Sequence, residues 1–165
     1  MRDAVSKNQP LVPSVLDRLL DDDPQLSTEP AKNSSQVLRE LKQAVRRDLE
    51  NLLNTRWRCE SWPPDLAQLD VSLVNYGIPD FTGPTSRAAI EPDTLFRVIE
   101  EAIRNYEPRL RNVRVEAYEN TQPLDRTLRF RIDATLYVEP IEEKVWFNSV
   151  LEPMTGNFQV DGGQR

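Results

Sequence analysis

Apolar positions along the chain fall first into two helical stripes and then into alternation. After Ser34, Leu38, Leu41, Val45, Leu49 and Leu52 recur every three or four residues, while Arg39, Glu40, Lys42, Gln43, Arg46, Arg47 and Glu50 take the positions between them. The spacing predicts an amphipathic helix that Ser34 or Ser35 caps and that ends near Asn54, with its charged face a solvated surface. A second stripe (Leu95, Val98, Ile99, Ala102, Ile103, Tyr106) follows Pro92 and Asp93. Proline suits the first helical position, and an acid there complements the positive end of the helix dipole. Pro108 disfavours helical backbone at Glu107 and has no N–H to donate, so this helix stops at the corner Glu107-Pro108-Arg109.

From the corner onward the period is two. Val113, Val115 and Ala117 alternate with Arg114, Glu116 and Tyr118, and Leu128, Phe130, Ile132, Ala134 and Leu136 alternate with Arg129, Arg131, Asp133 and Thr135. Lys144 to Leu151 places Val145 and Phe147 opposite Trp146 and Asn148, and Thr155-Gly156-Asn157 reads as a turn into a last strand, Phe158 to Val160. Asp70 to Val74 is expected as a further short strand, and Asn75-Tyr76-Gly77-Ile78-Pro79-Asp80 is turn chemistry. Trp57 and Trp62, near Pro63-Pro64, are expected to clamp a loop onto the core. Short connections imply antiparallel neighbours. The expected class is α+β: an antiparallel sheet packed against two long helices on one face, with a mostly extended N-terminal segment.

Three parts follow from composition along the chain. Residues 1–33 carry Pro10, Pro13, Pro24, Pro30 and the run Asp21-Asp22-Asp23, which resists packing and reads as extended or disordered. Within them, 14–20 is amphipathic, with Val15, Leu16, Leu19 and Leu20 on one side. Two helical turns are marginal alone in water, so the piece needs a surface, either its own domain or another subunit. Residues 34–161 form the domain, and 162–165 a flexible tail.

The 165 residues are long enough for a real core, with 38% hydrophobic content and a mean hydropathy of −0.60. No apolar run approaches the ~18 residues of a membrane span, and the N-terminus lacks the apolar segment of a secretory signal. One cysteine, Cys59, permits no internal disulfide. These readings place the chain in the cytoplasm, with no direct membrane insertion. A net charge of −6 argues against a protein that coats nucleic acid. The absence of histidine removes Ser-His-Asp and Cys-His catalysis and every histidine-ligated metal site. No cofactor and no metal is expected.

Candidate chemistry concentrates at the corner. Pro108 is either only a helix stop between two solvated charges, or the stiff turn holds Glu107 and Arg109 in fixed relation so that they engage one partner together. Arg114, Arg129 and Arg131 share the polar face of adjacent strands, as scattered charges or as a basic stripe. RNA binding would want several stacking aromatics there, and Tyr118 is the only clear one. Twenty-seven acidic residues make chance carboxylate pairs unavoidable, so they point only weakly to a glycosidase, with Glu107 as its best candidate.

Several of these stretches occur in a characteristic order: Ser14-Val15-Leu16-Asp17-Arg18-Leu19, then Leu52-Leu53-Asn54-Thr55-Arg56, then Ser72 to Asp80, then Tyr106-Glu107-Pro108-Arg109-Leu110 and the terminal strands. Together they resemble the TssE family, the small baseplate subunits of type VI secretion systems, related to a lysozyme-like wedge protein of contractile phage tails. The resemblance implies a non-enzymatic structural part that joins the wedge subunits TssF, TssG and TssK and anchors the first ring of the sheath, TssB and TssC. It implies a cytoplasmic position at the inner face of the cytoplasmic membrane. It puts the family's Glu-Pro-Arg motif on Glu107, Pro108 and Arg109, favouring partner binding at the corner. The alternative is a lysozyme-like peptidoglycan hydrolase.

Overall fold

A computed structural model describes residues 14–19, 33–57, 63–80, 92–118, 127–138 and 141–162. Three helices precede four strands: α1 (Val15–Leu19), α2 (Ser34–Asn54), α3 (Pro92–Tyr106), then β1 (Leu110–Ala117), β2 (Leu128–Val138), β3 (Ile141–Glu152) and β4 (Asn157–Gly162). The strands form an antiparallel meander in the order β1-β2-β3-β4. The class is α+β, as the alternation predicts. Of the sequence expectations, Leu20 and Trp62 lie outside the described residues.

Both stripes face the same side of the sheet. Leu41, Ala44, Val45, Leu49, Leu52 and Leu53 are buried from α2, and Leu95, Phe96, Ile99, Ala102 and Ile103 from α3. They meet Phe130, Ile132, Ala134 and Leu136 of β2 and the inward residues of the other strands in one core. α2 packs along β4 and α3 along β1, so the two helices lie toward opposite margins of that one face. Phe130 sits between Phe96 and Phe158, with ring centroids at 5.8 and 6.1 Å. Aromatic rings at that spacing add to simple burial.

Local chemistry corrects several expected boundaries. Asn33, not Ser34 or Ser35, caps α2: its side chain accepts from the Gln36 N–H at 2.9 Å, and Gln36 Oε1 accepts from the Asn33 N–H at 2.9 Å. Both ends of this capping box satisfy helix donors that would otherwise be orphaned. Asp70–Val74 is not a strand. Pro64–Val71 and Leu73–Asn75 are 3-10 turns. Pro64 sets a turn-like start, the Ser72 hydroxyl donates to Leu69 O at 2.9 Å, and Leu73 and Val74 stay exposed, so no alternating face exists to bury. Ala117, expected on the inner face, is exposed at the strand end.

A bulge in β1 explains a spacing the sequence left open. Leu110 and Val113 are both buried although three residues apart. Asn112 takes a positive φ of 53°, and the pairing with β2 shifts between Arg111 and Arg114. One extra residue returns the next side chain to the same face.

The sheet margin on the β4 side is treated in two ways along its length. On the outer side of β4, Asn54 Nδ2 donates to Phe158 O at 2.8 Å and Asn54 Oδ1 accepts from Phe158 N–H at 2.9 Å. Arg46 Nη1 donates to Val160 O at 3.0 Å. Side chains of α2 thus occupy the outward backbone groups of β4. β4 pairs with β3 only over Phe147 to Glu152. Among the described residues, the first half of β3, Ile141 to Trp146, has a strand on its β2 side alone.

The segment after α2 returns to the core through a close backbone approach. Ile78 N–H donates to Thr55 O at 3.0 Å and Trp57 N–H to Ile78 O at 3.2 Å, which seats fully buried Ile78. Gly77 makes this possible with φ of +113°, and a Cβ there would lie 2.4 Å from Thr55 O. Gly77→Ala should therefore lower the unfolding free energy by roughly 2–3 kcal/mol, read as a shifted denaturant midpoint with unchanged slope. An unchanged midpoint would mean that the bridge is not needed for the native fold.

Candidate functional site

The corner forms because α3 runs out of donors at Pro108. Glu107 N–H still donates to Ile103 O at 2.8 Å, and Leu110 N–H donates back to Glu107 O at 3.0 Å. This tight reversal leaves Pro108 exposed and turns the Glu107 side chain inward, where the residue is only 5% exposed. Tyr137 N–H donates to Arg109 O at 2.8 Å, which ties the turn to the end of β2.

Glu107 and Arg109 are brought together, and they meet each other. Arg109 Nε donates to Glu107 Oε1 at 2.6 Å and Nη2 to Oε2 at 2.5 Å, a two-point fork on one carboxylate. Arg109 Nη2 also reaches Asp48 Oδ2 at 2.5 Å. From α2, Arg47 bonds the other Asp48 oxygen through Nε at 3.2 Å and Nη2 at 3.1 Å. Arg47 Nη2 donates as well to Asp17 Oδ1 of α1 at 2.8 Å, and Asp17 Oδ2 lies 3.8 Å from Arg109 Nη1. The charges close a ring: Arg109, Asp48, Arg47, Asp17 and back to Arg109, with Glu107 attached.

The electrostatics follow from this crowding. The fork to Glu107, with Asp48 beside it, raises the Arg109 pKa against the opposing effect of its burial. Burial lifts the phenol of Tyr76 above its ordinary 10.0, and the charges of Asp48 and Glu107 add to the rise. The Tyr76 ring meets Tyr106 edge-on at 5.2 Å, and the Tyr106 hydroxyl donates to Ser72 O at 3.1 Å, so this aromatic pair packs where the 3-10 turns meet α3. Asp17 balances opposing effects. Its burial favours the neutral acid, but the Ser14 hydroxyl at 2.6 Å and the guanidiniums of Arg47 and Arg109 hold its pKa below the ordinary 3.8.

The sequence pattern did not single out Arg47, Asp48 and Asp17. Asp48 carries a legible signal in retrospect: it lies three residues after Val45 and four before Leu52, on the apolar stripe of α2. A carboxylate at such a position asks for an internal cation.

α1 is held through its polar residue. Val15, Leu16 and Leu19 are 73%, 55% and 75% exposed. On the outer sheet face, Arg131 Nε donates to Asp133 Oδ2 at 2.8 Å, Arg114 stands opposite Asp133, and Glu116 opposite Arg131. That face is a mixture of signs rather than a basic stripe. Among the described residues no helix is long and apolar enough to cross a membrane, and no cluster of three or more acidic, Cys or His side chains is arranged to hold a metal.

A family model described as baseplate wedge protein gp25 matches residues 39–141. No curated protein matches. A solved chain titled "The baseplate complex from the type VI secretion system" is similar at 22% identity, covering 72% of this chain and 96% of that one, with a TM-score of 0.43.

Two outcomes are expected from this geometry. Arg109→Ala leaves the Glu107 carboxylate buried without its cation and should cost about 2–4 kcal/mol of folding stability in denaturant titration, against about 1 kcal/mol or less for Arg104→Ala on the exposed face of α3. Equal losses would show that the fork contributes nothing special. Because the Asp17 pKa is depressed, its hold on α1 is full above pH 3.8 and fades as pH falls through the lowered value. Amide shifts of residues 15–19 should therefore stay constant from neutral pH down to that range and then move. Movement only at higher pH would contradict the pairing.

Proposed function

We propose, from the premise that the chain belongs to the baseplate wedge protein gp25 family, that it is a structural subunit of a type VI secretion baseplate. In this reading it joins the wedge subunits TssF, TssG and TssK and holds the first ring of the TssB/TssC sheath. It works without enzymatic turnover, on the cytoplasmic side of the membrane. The family match carries the proposal, because it spans most of α2, all of α3 and the corner and runs to the start of β3.

The geometry supports a division of labour. The open half of β3 suits strand addition, in which main-chain bonds supply affinity with little demand on sequence. An open groove of about 1100 Å³ beside it, between the first half of α2 and Lys144, Trp146 and Gly162, leaves room for an added strand. Hydrogen bonds of this kind, loaded along the strand, would resist axial pull on a sheath. The corner Glu107-Pro108-Arg109 is the contact to the wedge. It offers an exposed proline beside Arg109 Nη1, a buried donor without a hydrogen-bond acceptor. Val15, Leu16, Leu19 and Leu20 add an apolar docking surface.

The edge has a specific test. Phe158 bonds outward to Asn54, so its partner Leu151 turns its backbone groups toward β2, and strict alternation aims those of Glu142, Lys144 and Trp146 at the open edge. Lys144→Pro removes one outward donor and spares the β2 ladder. In a strain lacking the native gene, this variant should fold, with a melting midpoint within a few degrees of wild type, yet assemble few fluorescent sheaths. Normal sheath assembly by a folded Lys144→Pro protein would refute strand addition at this edge.

A further inference from the structure

The attachment of α1 has an unusual division between its polar and apolar residues. A short amphipathic helix that folds back on its own domain ordinarily buries its apolar side. Here Val15, Leu16 and Leu19 remain largely exposed, while the Asp17 side chain is 12% exposed. The Ser14 hydroxyl donates to Asp17 Oδ2 at 2.6 Å, and the Asp17 N–H donates to Ser14 Oγ at 3.2 Å, so the five-residue helix is itself organised around this carboxylate. Among the described residues, what holds α1 is one carboxylate on two guanidiniums.

That receiving site is built by the domain and not by α1. Asp48 fixes both cations, bonding Arg47 through one oxygen and Arg109 through the other. Glu107 orients the Arg109 plane from the far side through the two-point fork. Arg109 Nη1 is then left buried with no hydrogen-bond partner, and the facing oxygen of α1, Asp17 Oδ2, stops at 3.8 Å, beyond hydrogen-bond reach. A buried guanidinium nitrogen without an acceptor is costly. A carboxylate that approached about 1 Å closer would satisfy it while keeping the bond to Arg47. The site is occupied but incompletely filled.

We propose that Arg47 and Arg109 form a carboxylate-binding site which Asp17 fills in the free chain, and that α1 is a removable occupant that gives way to an acidic side chain of a neighbouring protein. The identity of that neighbour as another baseplate subunit rests on the reading above; the site itself does not. Exchange would do two things at once. It would complete the bonding of Arg109, and it would free the apolar residues of α1, which cannot form a stable helix alone, to seek a surface elsewhere. Docking of one partner at the corner would thus release a second attachment point.

The test uses the full chain and a synthetic peptide of its own residues 11–20 as the acidic probe. Fluorescence anisotropy with the Asp17→Asn chain should show the peptide binding at least tenfold more tightly than to the wild-type chain, whose site is already filled. The peptide carrying Asp17→Asn should bind at least tenfold more weakly than the native peptide. A peptide with Ser in place of Val15, Leu16 and Leu19 should bind within about threefold of the native one. In parallel, the Arg47 and Arg109 Nε–H resonances should shift in the Asp17→Asn chain and return when the native peptide is added. Equal binding of the Asp and Asn peptides, absence of binding, or equal affinity for both chains would each overturn the proposal. No other baseplate protein enters these measurements, so their failure is distinguishable from a failure of the baseplate reading.

Discussion

The bond from Arg109 to Asp48 holds the molecule's two helical units in one arrangement. Without it, the turn from α3 into β1 would reach the middle of α2 through apolar contacts, which are tolerant of sliding, and through the indirect link of Asp17 to Arg47. A planar guanidinium gripped on one side by Glu107 and on the other by Asp48 is not tolerant. It sets the rotation of the corner about α2, and hence where β1 enters the sheet. The partial burial of this group is what gives it directional force, since a fully exposed ion pair would contribute little.

How far the sequence revealed this depends on the range of the interaction. Both long helices, the sharp stop at Pro108 and the alternation of β2 were legible because they are local: periodicity and proline chemistry act within a few residues. The bulge at Asn112 was not, because a single inserted residue leaves Val113 and Val115 in phase and shifts only Leu110. The 3-10 turns resemble a strand in sequence because Val71, Leu73 and Val74 have strand-like composition, while the decisive features, the Pro63-Pro64 pair and the Ser72 hydroxyl, favour turning. Asn33 is hidden as a cap by the two serines that follow it directly.

The candidate site divides in the same way. Glu107 and Arg109 stood out because a proline fixes them, and the prediction that they share one side of the turn agrees with their fork. Their connection to Asp48 spans 61 residues and to Asp17 about 90, and nothing in local spacing encodes such pairings. The acid on the apolar stripe of α2 was the single local sign that a cation had to arrive from elsewhere. In α1, amphipathicity points to the apolar residues as the contact, whereas within this chain the contact is made by Asp17.

The contacts of Asn54 and Arg46 with β4 have a consequence for how the last strand finds its place. Asn54 both donates to and accepts from Phe158, and Arg46, two helical turns earlier, meets Val160 O. Backbone groups along a strand point alternately left and right, so a slip of β4 by one residue would swing those of Phe158 and Val160 from α2 to β3 and their side chains out of the core. A slip by two would keep the direction and the backbone bonds but carry the Phe158 ring nearly 7 Å from its place beside Phe130. α2 therefore acts as a ruler laid against the sheet. Its graduations, an amide and a guanidinium, fix which side of β4 faces the helix, and the Phe158 ring against Phe130 fixes the alignment.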